Sequence, residues 1–208
     1  MAQGIFPTPV QPARVTGFLG FDVGVAATAV KVDTSAPYWQ HSVGKDFSTG
    51  GYVAVPRLVA SKGFASGTIS GSYAKVNSSD IKTWGGALDV PIIRGTIATP
   101  EIALRGAYAT LSGAGDYNLK VYGVEAFISK GFGPVTPYGA VGRMRSKANG
   151  SFTRTITPGN ALTVDLADTS NVNRYTAGVR LSLLVPKIAV EVTKAEVTSY
   201  AAKVCFGF

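Results

Sequence analysis

Residues 199–208, SYAAKVCFGF, alternate without a break. Tyr200, Ala202, Val204, Phe206 and Phe208 fall on one face of an extended strand, and Ala201, Lys203, Cys205 and Gly207 on the other. Successive strand side chains point to opposite faces, so this strand has one apolar face and one small or polar face. Such a strand at a chain end frays, or recruits another edge, unless the sheet closes on itself. A closed sheet is therefore the first architecture to test along the chain.

The composition narrows the choice. Hydrophobic residues make up 46% and charged residues 15% of the 208, against an ordinary charged share of about 25%. No stretch approaches the roughly 18 uninterrupted apolar residues of a membrane helix. A chain this apolar buries its apolar groups in a core or shows them to lipid as strands, which need only about 9–11 residues each to cross. The net charge is +8. The cations are scattered singly rather than in a run, which argues against a nucleic-acid partner. One cysteine, Cys205, excludes an internal disulfide framework and a cysteine-based zinc site. The opening MAQGIFPTPVQP lacks the charged start and apolar middle of a secretory signal. The expectation is a mature chain whose signal has been replaced by a start Met.

Taken in order, residues 1–15 are Pro-rich and aperiodic and read as an extended segment outside the folded unit, which spans 16–208. Period-2 alternation places strands at about 16–31, 50–60, 64–76, 83–94, 101–111, 117–130, 138–147, 172–184, 187–195 and 199–208. Pro56 counts against the second, since proline removes a ladder donor. Long connections fall at 32–48 and 148–171, the latter with room for a hairpin extension. Short Pro/Gly turns join the second strand to the third, the fourth to the fifth, the sixth to the seventh and the eighth to the ninth. No segment carries a 3.6-residue apolar period. The reading is all-β, a meander of about ten strands, with eight the rival count if 50–60 and 64–76 are not both in the wall.

The terminal strand ending on Phe, the alternation and the unequal connections resemble small bacterial outer-membrane β-barrels of the OmpA/OmpX kind. That resemblance covers the chain from about residue 16. It implies a closed antiparallel up-and-down transmembrane barrel with both termini periplasmic, short periplasmic turns and long outer loops. The polar face would then be the lumen. It collects Asp22, Asp89, Glu125 and Glu191 with Arg57, Arg105, Arg143, Arg180 and Lys203, near enough to balance for pairing inside. Arg174 shares the polar face of its strand. The apolar face carries Tyr52, Trp84, Tyr108, Tyr138, Tyr175, Tyr200 and Phe208, the expected interfacial aromatic girdle.

Catalysis finds little support. The single histidine, His41, lies in the first long loop with Ser42 and Asp46 nearby. These are common loop residues, and a triad is assembled by geometry rather than adjacency. No metal-ligand set, phosphate loop or cofactor motif stands out, so no cofactor is expected. The expectation is a non-enzymatic outer-membrane barrel with a mostly plugged, charged lumen, serving as a wall component, anchor or narrow pore. Its partners would be outer-membrane lipid, lipopolysaccharide phosphates near Lys45 and Arg154, and the barrel-assembly machinery through the terminal strand. The contrasting reading is a soluble sandwich or lipocalin-like module carrying an apolar ligand, its charged face outward.

Overall fold

The structure is a computed structural model that describes residues 2–12, 20–32, 51–75, 80–157, 160–183 and 185–207. A single helical turn, α1 (Ala2–Ile5), precedes ten strands. These are β1 (Phe21–Lys31), β2 (Tyr52–Phe64), β3 (Gly67–Lys75), β4 (Lys82–Ile93), β5 (Glu101–Ala114), β6 (Tyr117–Ser129), β7 (Val135–Thr157), β8 (Asn160–Ser182), β9 (Lys187–Lys194) and β10 (Thr198–Gly207). Each strand pairs with its sequence neighbours, and β1 pairs with β10 to close the barrel. Every pairing is antiparallel. The segments around 50–60 and 64–76 are both wall strands, so the count is ten rather than eight.

The alternation seen in the sequence is realised as alternating burial. Along β1 and β10 every second residue is buried, and the intervening ones are exposed. The outward residues are apolar: Val23, Val25, Leu58, Ile69, Leu104, Val124, Ile128, Val190 and Val204 are all exposed. The inward ones include most of the chain's mid-strand charges. A β-barrel has no free edge, because every strand's backbone donors and acceptors meet a neighbour. Pro56 sits in β2 opposite Ala27, and the ladder continues on both sides of it.

The two ends of the barrel differ. At one end the hairpins β2–β3, β4–β5, β6–β7 and β8–β9 turn, and β10 ends beside the start of β1, with Gly207 opposite Asp22. At the other end lie the β3–β4, β5–β6, β7–β8 and β9–β10 connections. The β5–β6 turn is closed by two residues, with Ala114 opposite Tyr117. It relies on Gly115, whose φ of 63° suits a residue without a side chain in a tight hairpin.

β7 and β8 run far beyond the expected strands at 138–147 and 172–184. Both have 23 residues, and their pairing continues to Thr157 and Asn160. The long connection expected at 148–171 is thus mostly a paired ribbon. The ribbon's sequence carries no apolar alternation. Its β-branched content (Thr153, Thr155, Ile156, Thr163, Val164) still favours extended backbone. The other long connection, 32–48, falls almost wholly outside the described residues, as do His41, Lys45 and Phe208.

The expectation for residues 1–15 is overturned in position. Residues 2–12 do not lie outside the barrel; they run through its lumen. Phe6 and Val10 have no exposed surface, and Gln3, Thr8 and Gln11 are buried. Gln3 meets Ser199 near the β9–β10 end, whereas Gln11 meets Ser61 and Ser70 near the β2–β3 end. The segment therefore descends from the end opposite Gly207 toward the end where β1 begins. Phe6 and Ile5 join Ala87, Ala107, Leu111, Leu119, Val121 and Met144 in the largest buried apolar cluster. Val10 joins Ala26, Val59, Ala189 and Ala201 in a second.

Candidate functional site

The lumen concentrates the chain's buried charge. Asp22, Arg57, Asp89, Arg105, Glu125, Arg174, Arg180, Glu191 and Lys203 are all at most 6% exposed. A buried charge is costly unless paired and hydrogen-bonded. Pairs among the described residues meet that condition, as three of them show. Arg105 grips Asp89 in a two-pronged contact, Nε to Oδ1 and Nη2 to Oδ2, the latter at 2.9 Å. Arg174 Nε donates to Glu125 Oε1 at 2.9 Å. Lys203 Nζ donates to Asp22 Oδ1 at 2.9 Å. The first pair comes from neighbouring strands, Asp89 lying directly opposite Arg105. Arg105 and Glu125 are likewise opposite each other on β5 and β6.

The N-terminal segment completes these contacts. The Arg174 guanidinium covers the Phe6 ring at 3.9 Å from its centroid and donates from Nη1 to Gln3 Oε1 at 2.7 Å. Arg105 Nη2 donates to the Gln11 carbonyl at 3.3 Å, and Lys203 Nζ to Gln11 Oε1 at 3.2 Å. Arg57 makes no ion pair among the described residues. It donates instead to the Phe6 and Thr8 carbonyls, at 3.4 and 3.1 Å. Thr8 Oγ1 donates to Glu191 Oε1 at 2.8 Å. Arg57 Nε and Arg105 Nη1 have no hydrogen-bond acceptor among the described protein atoms.

The wall is shaped around the segment. A Cβ on Gly85 would come within 2.7 Å of Pro7 Cβ, and one on Gly123 within 3.0 Å of Phe6 Cε2. Both glycines leave room that the segment fills. Val10 adopts a φ of 47°, an outlier for a β-branched residue. Such a conformation costs on the order of 1–3 kcal/mol and persists only where the surroundings impose it.

Two expected placements are reversed on β7. Arg143 belongs to the outer surface and is not in the lumen network. Tyr138 belongs to the lumen and is not in the girdle; it is 5% exposed. The strand carries apolar residues on both faces, so alternation alone could not orient it. Gly178 lies opposite Tyr138, and a Cβ there would run into the tyrosine ring. The ring crosses that gap, stacks on Phe127 at 6.5 Å, and donates from Oη to Glu191 Oε2 at 3.0 Å. Arg143 faces outward, where a long cationic side chain reaches water along the apolar surface. Replacing Tyr138 by phenylalanine keeps the stack and removes the bond to a charged acceptor. The expected cost is about 1.5–3 kcal/mol, read as a lowered urea midpoint of the folded barrel in lipid vesicles.

Arg174 is a lumen member that the candidate network omitted, although its strand pattern had placed it inward. Gln3, Phe6, Thr8 and Gln11 were missed as well. A run of residues 1–12 with no charged side chain and with Ile5, Phe6 and Val10 among its apolar residues is the signal that could have found them.

Tyr52, Trp84, Tyr108, Tyr175 and Tyr200 are exposed on the outer face. Tyr52 packs edge-on against Tyr200 at 6.1 Å, and Trp84 against Tyr108 at 5.9 Å. Tyr73 faces Trp84, and Tyr108 faces Tyr122, on neighbouring strands. These rings form a belt near the end that bears the β7–β8 ribbon. Exposed cations lie at or beyond it: Lys31, Lys75, Lys82, Lys120, Lys147 and Lys194. Among the described residues no group of three or more His, Cys, Asp or Glu is placed to hold a metal.

A family profile described as a family of unknown function, DUF6588, matches residues 68–208. The chain belongs to that family. The DUF6588 match spans β3 to β10 and so includes most of the wall, while the lumen segment lies before it. No curated protein matches this DUF6588 chain. Similar solved structures include the N-terminal β-barrel domain of OprF from Pseudomonas aeruginosa, with 10% identity over 90% of this chain and 97% of that one, at a TM-score of 0.40. Ail, the attachment invasion locus protein of Yersinia pestis, has 16% identity over 91% and 97%, at 0.38. Neisserial surface protein A has 14% identity over 90% and 97%, at 0.36.

Proposed function

We propose that this chain is an integral, non-enzymatic outer-membrane barrel with a filled, charged lumen, acting as a wall component or anchor. The observation that carries this reading is the inversion of polarity. The wall turns Val, Leu and Ile outward and charged pairs inward, which suits lipid outside and is costly in water. The aromatic belt supports a membrane interface at that level. The basic residues beyond it favour anionic headgroups. Lys75 lies opposite Lys82, and Lys120 opposite Lys147, and like charges facing each other on a sheet are unfavourable without counter-anions. In this placement the ribbon end faces the outer leaflet and its lipopolysaccharide phosphates. The end opposite the ribbon, with Gly207, is periplasmic, and β10 is the strand offered to the assembly machinery. The soluble lipocalin-like reading needs an apolar interior, but here the interior is charged and holds the chain's own segment.

Refolding into detergent micelles and running the product on a gel tests the proposal. The expected result is a compact band in unheated samples that shifts on boiling. A chain that stays soluble, monomeric and β-rich without detergent would refute it.

A further inference from the structure

Resting on the membrane-barrel reading, we propose that residues 2–12 are a removable gate whose withdrawal opens a narrow conduit preferring small inorganic anions. The wall does not need the segment for its own pairing. The ladder closes through β1 and β10. The segment's backbone donors turn back on the segment itself: Phe6 N–H to the Ala2 carbonyl, Thr8 N–H to the Phe6 carbonyl and Val10 N–H to Thr8 Oγ1. Its contacts to the wall are apolar packing and hydrogen bonds to wall side chains, so it can leave without breaking a strand. The strained backbone at Val10 lowers the cost of leaving, since withdrawal relaxes it. A single extended chain vacates a channel of about 5 by 10 Å in cross-section, wide enough for an inorganic ion and too narrow for an oligosaccharide.

The preference for anions follows from which wall groups lose partners. Arg57, Arg105, Arg174 and Lys203 each lose an acceptor supplied by the segment. Among the carboxylates Glu191 loses a donor, Thr8. The segment carries no charged side chain, so the vacated lumen keeps its five cations against four carboxylates. Arg57, whose acceptors in the filled barrel are segment carbonyls, becomes the cation freest to meet a passing anion.

The test uses the full chain in planar bilayers under a KCl gradient. The wild-type chain is expected to be mostly closed. Phe6→Ser with Val10→Ser removes two of the segment's fully buried anchors. It should raise the time-averaged conductance at least about tenfold, the effect of losing their burial, with a reversal potential displaced toward chloride. Adding Arg57→Glu to that pair should abolish or invert the displacement. A synthetic AQGIFPTPVQP peptide should close the open variant. A double variant that keeps the compact, heat-modifiable band yet conducts no more than wild type overturns the gate. A conductance whose selectivity ignores Arg57 overturns the anion preference. Should the double variant give no compact band, Val10→Cys in a Cys205→Ala background decides the matter. Labelling of the folded barrel by a membrane-impermeant maleimide supports withdrawal, and complete protection over hours overturns it. If the wild-type chain itself gives no compact band, the membrane-barrel reading fails and the gate falls with it.

Discussion

Replacing Asp89 by alanine is expected to destabilise the folded barrel by about 3–5 kcal/mol, because it strands a buried guanidinium. Arg105 is 1% exposed and Asp89 2%. The Arg105 guanidinium also covers the Phe127 ring at 4.0 Å, so it cannot swing to water without vacating a packed position. The remaining acceptor, the Gln11 carbonyl, engages Nη2 alone. The loss should appear as a lowered urea midpoint in lipid vesicles, followed by tryptophan fluorescence. Removing both partners, as Asp89→Leu with Arg105→Met, should recover most of it, since neither charge is left buried. A cost below about 1 kcal/mol for Asp89→Ala would mean that the lumen solvates Arg105 as a surface does.

Val25→Arg is expected to cost about 2–4 kcal/mol, the measured range for a cation at the bilayer midplane of a barrel wall. Val25 lies midway along β1, 55% exposed, between Leu58 and Val204 on the neighbouring strands. In water the same change at an exposed strand position would fall within roughly 0.5 kcal/mol of zero. One substitution therefore separates a lipid-facing wall from a solvated one. The comparison is the urea midpoint of wild type and variant in the same vesicles. Equal midpoints would place the outer face of β1 in water and reverse the inside-out assignment.

The wall was legible because its signal is local. Alternation in β1, β5, β6, β9 and β10 is written in adjacent residues, because an exposed apolar face and a crowded inner face succeed each other at every step. The β7–β8 ribbon was harder to read because its residues 148–171 carry no apolar alternation. Tyr138 and Arg143 exchanged faces because β7 is apolar on both sides. What orients it is Gly178 on β8 and Glu191 on β9, information held far along the chain. The lumen segment was missed for a related reason. Pro7, Pro9 and Pro12 suppress any period, and its partners are scattered over strands that follow it. Of the nine lumen charges, eight were read from the strand faces. Arg174 was placed on the right face but left out of the network.

The reach of the segment's contacts has a consequence for assembly. Gln3 bonds to a residue 196 positions away, Gln11 to one 192 away and Thr8 to one 183 away. These partners lie on the last two strands, so the full set of the segment's contacts exists only once β9 and β10 are in place. Contacts of such sequence separation form slowly, because loop closure must precede any stabilisation. Complete docking of the segment therefore requires that β9 and β10 have joined the wall. Residues 2–12 and strands β9 and β10 therefore act as each other's checkpoint: β10 seals the wall against β1, and the segment fills what the wall encloses.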